Sequence, residues 1–166
     1  MWGLMIICYL FMAATFILLT LTGLQGYFQF NIIQANHPQF ALLSVIFYML
    51  TETLIMFYFI GSGTAIKKTI QTGSMNANLY DNVKKTKMKL FPHLTLNMIF
   101  IGIVFILGGA VQTGRLAGWM HGLLFDLAFI HFIYTAFLQH HGFKDNVEII
   151  GKLAKDQTVA ADGTLA

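Results

Sequence analysis

Six histidines and two acidic residues stand in or beside the apolar runs of this chain, and their spacing decides what chemistry they could share. His37 and His121 fall at the starts of two apolar runs. His93 falls at the start of a third run, His140 and His141 at the end of the last, and His131 inside it. Paired imidazoles on facing helices, one pair towards each surface, are the donor set with which a four-helix membrane bundle holds b-type haem. Two neutral rings then take the axial positions, and burial tunes the potential. His131, His121, His37 and His93 are therefore candidate haem ligands, and the 16 Phe and 9 Met of the chain would suit the faces of a porphyrin. A plainer reading stands beside this one. Histidine is amphipathic and frequents membrane interfaces, and His37 before Pro38 and His93 after Pro92 read as helix starts, leaving His131 as the internal one.

Other metal chemistry finds less support. His121, Asp126 and His131 are spaced by five and five, which on a helix turns successive side chains about 140° apart instead of along one face. The spacings of three or four that build a zinc or di-iron helix are missing, so no metal beyond haem iron is expected. Cys8 is the one cysteine and lies in an apolar run, where it reads as a small apolar residue and rules out an intrachain disulfide. The glycine-containing stretch "IGSGTAIKK" lacks P-loop spacing, and no nucleophile has a base at a fixed offset.

Glu52 raises a separate question, because its run, "FALLSVIFYMLTETLIMFYFI", has no wet face. At 1.5 Å rise per residue, Glu52 and His131 lie at about the same depth, ~20 Å below the start of their runs. Asn97 approaches that layer from the other side, and Asp126 lies one to two turns away from His131. An ionised side chain in lipid is costly and turns inward to a partner. Glu52 is accordingly expected to pair with His131 or to be protonated against the fourth run, and Asp126 to pair with His121 or Arg115. Such a layer could carry protons or only fix helix register.

The elements that must position these groups follow from composition. The 166 residues are 57% hydrophobic and 10% charged, with mean hydropathy +0.68. Soluble domains carry nearer a quarter charged residues, so this is the composition of an integral membrane protein. Four windows, about 3–24, 39–61, 94–112 and 117–138, reach the ~20 apolar residues that cross a bilayer. The first lacks the charged start and small-residue cleavage site of a signal peptide and is taken as retained. The fold expected is all-α: a polytopic membrane protein with a four-transmembrane-helix bundle over 1–141, joined by short loops. Residues 142–166 would form a tail with a short surface helix in "DNVEIIGKLAK" and a loose end. Gly102 and Gly109, seven apart, would face one way and let another helix approach.

Charge sets the expected orientation. The connection 25–38 has no charged residue, whereas 62–93 holds six lysines against one aspartate and the tail three more lysines. The positive-inside rule places both termini in the cytoplasm, in a bacterial inner membrane or its equivalent. Those lysines would lie against anionic lipid and give no nucleic-acid signature. The functions that fit are three. The first is a membrane subunit of a respiratory or electron-transfer-type complex, holding haem b, a quinone or both, and more a carrier of electrons than a stand-alone enzyme. The second is a small oligomeric transporter or proton-linked channel using Glu52 and His131. The third is a structural subunit without cofactor, partnered by other membrane subunits or by copies of itself.

Overall fold

The computed structural model of the chain describes residues 2–73 and 78–162, with side chains described over 2–71 and 80–155. Within them run four helices: α1 Trp2–Phe28, α2 His37–Gly73, α3 Asn78–Gln112 and α4 Gly118–Asp162. All four are long and apolar enough to cross a membrane. The protein is an all-α, integral membrane bundle. The short connections 29–36 and 113–117 lie at one end, here the loop end. The end of α2, the start of α3 and the C-terminal part of α4 lie at the other, the lysine end.

Why these helices associate is visible in what they bury. On α1 the buried residues are Cys8, Thr15, Leu19, Thr22 and Gln25, a spacing of three, four and seven, while Leu4, Ile6, Ile7, Leu10, Phe16 and Ile17 are exposed. Apolar residues thus face outward and small or polar ones inward, the reverse of a soluble helix and the arrangement lipid requires. Thr15 bonds Thr51 at 2.7 Å, and one heptad further Thr22 bonds Ser44 at 2.7 Å, so two hydroxyl pairs clasp the antiparallel helices α1 and α2. Interhelical bonds of this kind contribute on the order of 0.6 kcal/mol each in lipid. Buried residues of α4 repeat the pattern at Ala128, Phe132, Thr135, Gln139, Phe143 and Asn146.

Helix ends are fixed by local chemistry. Asn36 and Gln39 exchange side chain-to-backbone bonds, Gln39 N donating to Asn36 Oδ1 (3.2 Å) and Asn36 N to Gln39 Oε1 (3.1 Å). This is a capping box, and it starts α2 at His37 with Pro38 in the first turn. The α3 end closes on Gly114 at φ +70, whose N–H donates to Val111 O, while Arg115 N returns to Ala110 O.

Helix takes up most of the 62–93 stretch: residues 80–90, "YDNVKKTKMKL", have helical spacing in the sequence and lie in α3, which starts at Asn78, while α2 runs on to Gly73. The expected short surface helix of the tail is corrected: α4 continues unbroken through it to Asp162, and 163–166 lie outside the described residues. Helices of 35 to 45 residues are ~50–70 Å long against a hydrocarbon core of ~30 Å, so three of them project beyond it. Ile66, Val83, Ile149 and Leu153 give this projection its own apolar core. Pro92 sits inside α3 instead of before its start. Packing of Leu90 and Leu94 into the core with Ile55 and Phe59 carries the helix past the proline. The glycine face also differs: a Cβ on Gly109 would meet nothing within 4 Å and one on Gly102 only Met49, whereas Gly108 faces His121.

Candidate functional site: two histidine pairs

At the loop end, His37 of α2 and His121 of α4 bring their rings to 6.2 Å between centroids at 71°. These helices are diagonal partners in the bundle, flanked by α1 and α3. Each flanking helix places a glycine under one ring. A Cβ on Gly26 would come 3.2 Å from Cε1 of His37, and a Cβ on Gly108 would come 3.2 Å from Cε1 of His121. Glycine therefore makes room for both imidazoles against helix backbone. The Nδ1 atoms of both rings are buried and have no hydrogen-bond partner among the described residues. Backbone of Thr22 on α1 lies beside the His37 ring, and backbone of Val104 on α3 beside the His121 ring. A buried imidazole nitrogen without a hydrogen-bond partner is a nitrogen open to a metal.

Below it, on the lysine side, His93 of α3 and His131 of α4 form a second pair of a different kind. Their centroids are 5.6 Å apart, and Nδ1 of His93 is 3.4 Å from Nε2 of His131. Asn97 stands behind them: its Oδ1 is 2.8 Å from His131 Nδ1, and its Nδ2 donates to Tyr48 Oη at 2.8 Å. Asn97 and Tyr48 are wholly buried, while the two imidazoles are only partly so. Phe100 and Tyr134 flank the pair from its exposed side.

The acidic residues go elsewhere. Glu52 does not meet His131; its Oε2 accepts from Gln139 Nε2 at 2.7 Å, both residues wholly buried. The reason is azimuth. Gln139 lies eighteen residues after His121, five full turns, and shares its α2-facing stripe, whereas His131, ten after His121, is turned about 80° towards α3. Glu52 Oε1 has no partner among the described residues. Asp126 bonds neither His121 nor Arg115: Tyr27 Oη of α1 donates to its Oδ2 at 2.6 Å. His140 takes a bond with Tyr9 of α1 (2.8 Å between Oη and Nδ1), and His141 Nδ1 lies 2.8 Å from the carbonyl of Phe137.

Gln139, Tyr27 and Tyr9 were not singled out from the sequence. The heptad repeat of small and polar residues along α4 is the signal that marks Gln139 as inward-facing. Among the described residues no group of three or more His, Cys, Asp or Glu is arranged to hold a metal ion. Comparison of the chain with protein-family models, curated proteins and solved structures gives no match.

Proposed function

We propose that this protein is an electron-transfer subunit of a respiratory-type membrane complex, with b-type haem held between His37 and His121. The observation that carries the reading is the geometry of that pair. The rings stand 6.2 Å apart on the two diagonal helices, each seated over a glycine of a flanking helix, so a group between them would be held from α2 and α4 together. Two imidazoles without a third side-chain donor suit a group whose own four nitrogens complete the coordination. The glycines beneath both rings and the two unpaired Nδ1 atoms support the same assignment. His93 and His131 fit it less well, because their facing nitrogens already bond each other at 3.4 Å and Nδ1 of His131 meets Asn97 at 2.8 Å. Bound haem would supply one-electron redox chemistry. The chain's own residues orient the imidazoles, through the Asn36–Gln39 cap for His37 and the Gly114 turn for His121.

The lysines at the far end support an orientation with that end and both termini in the cytoplasm, so His37 and His121 would stand towards the opposite surface. A cysteine at Ser74 that reacts with an impermeant reagent from the non-cytoplasmic side would overturn the orientation. The haem assignment is tested by a dithionite-reduced minus oxidised spectrum of the purified protein with a pyridine haemochrome assay. About one b-type haem per chain is expected, and a flat spectrum from well-folded, haem-supplied protein would refute it. Glu52, buried beside Gln139 near the Thr15–Thr51 pair, favours a second reading as a proton-linked channel or transporter. Glu52-dependent proton uptake in vesicles would be its signature.

A further inference from the structure

The His93–His131 pair lies on two neighbouring helices, and its seam opens outward. Tyr134 is 46% exposed, Phe100 38%, Leu96 40% and Ile130 64%, so the imidazoles sit in an apolar, lipid-facing surface. Their depth supports this, since His131 is ten residues, ~15 Å, along α4 from His121. Polar groups facing lipid are costly without a partner, yet this pair is backed by a buried relay instead of being turned into the core. Asn97 donates through Nδ2 to Tyr48, so its Oδ1 is the atom that meets His131. That oxygen can only accept, so Nδ1 of His131 carries the proton and Nε2 is left basic. Nε2 of His131 faces Nδ1 of His93 at 3.4 Å, so His93 Nδ1–H is the donor of that contact and Nε2 of His93 is the nitrogen left over at the end of the relay. The site therefore presents one imidazole nitrogen, Nε2 of His93, with one aromatic ring on each side, at a depth reached only through lipid.

We propose that this α3/α4 seam binds the head group of a lipid-soluble quinone or its quinol. A quinol hydroxyl donates to Nε2 of His93; with the relay reversed from Tyr48 O–H through a turned Asn97 amide and His131 Nε2–H, the same nitrogen carries a proton and donates to a quinone carbonyl. The flat ring lies against Phe100 and Tyr134, and the isoprenoid tail stays in lipid along Leu96 and Ile130. Both redox forms are neutral, as a site with no cation among its described contacts requires. The site stands on His93, His131 and Asn97 and does not rest on the haem assignment at His37 and His121.

The test uses the full chain in lipid nanodiscs and an azido-substituted short-chain benzoquinone as photoaffinity probe, with decyl-benzoquinone as competitor. Saturable labelling mapped by mass spectrometry to peptides spanning 91–101 or 129–135 is expected. His131→Leu and, more conservatively, His93→Gln should each weaken competition about tenfold or more, the loss of a hydrogen bond at ~1.4 kcal/mol. His140→Ala, at a histidine in neither site, should leave it unchanged, and unaltered helicity and elution of the variants would show that they fold. Labelling elsewhere, or competition insensitive to both substitutions, would overturn the proposal. So would a dimer dissolved by His131→Leu without quinone labelling, which would assign the seam to a second copy of the chain. Haem content read on the same samples separates the failures: mapped labelling without haem removes only the haem assignment, and haem without labelling removes only this one.

Discussion

Replacing Glu52 by leucine removes the acceptor of Gln139 Nε2 at 2.7 Å, in a place where neither side chain reaches solvent. Leucine is close to glutamate in volume, so the cost is mainly that of a buried amide left without its partner, ~1–3 kcal/mol. Glu52→Gln keeps a carbonyl acceptor and no charge, which suits a group whose partner is the Gln139 amide, and should stay within ~1 kcal/mol of the parent. Gln139→Leu alone leaves Glu52 with neither oxygen bonded and should be the costliest single change of the set. Replacing both by leucine removes the polar pair together and should recover much of the loss. The coupling energy of that cycle is expected at ~0.6–1.7 kcal/mol, the range for hydrogen bonds between membrane helices. It would be measured by unfolding in mixed detergent micelles with rising dodecyl sulfate, followed by helicity. Strict additivity, with the double variant losing the sum of the two single losses, would refute the pairing of α2 and α4 through these residues.

Other predictions follow from close approaches and backbone. A Cβ at Gly142 would lie 2.9 Å from Cζ of buried Phe59 and 3.3 Å from Cγ2 of Thr86, so Gly142→Ala should destabilise by ~1–3 kcal/mol in the same unfolding assay. Gly61→Ala, with nothing within 4 Å of its Cβ, should be neutral or stabilising by up to ~1 kcal/mol; equal effects at the two positions would contradict the packing. Ile33 holds φ +48 at the tip of the α1–α2 connection while 95% exposed. Its β-branched side chain is unsuited to that region, so Ile33→Asn should raise stability by ~1 kcal/mol, and a loss would argue against this turn.

Much of the architecture is legible in the chain because long apolar runs leave few choices: the four spans and their short connections at the loop end are of this kind. The lysine end is harder to read. Its lysines mark 62–93 as solvated, but Ile66 on α2 and Val83 and Leu90 on α3 are buried, with Ile70 half-buried beside them, and a proline at 92 imitates a helix start when only the local chain is considered. Depth along a helix is readable from residue number, which sets the histidines at three levels: His37 with His121, His93 with His131, and His140 with His141. Azimuth is not readable from one residue. Glu52 and His131 share a level, but α4 turns His131 towards α3 and Gln139 towards α2, and only the repeat over Ala128, Phe132, Thr135 and Gln139 carries that information. Asp126 and Tyr27 meet through the relative rotation of α1 and α4, for which neither residue has a local signal.

The most direct measurement is haem content per chain, by pyridine haemochrome, in His37→Ala, His121→Ala, His93→Ala and His131→Ala variants alongside the parent. A parent with about one b-type haem, lost in the first two variants and kept in the last two, is the result this account predicts. Haem that survives removal of His37 and His121, or that depends on His93 and His131, would contradict it.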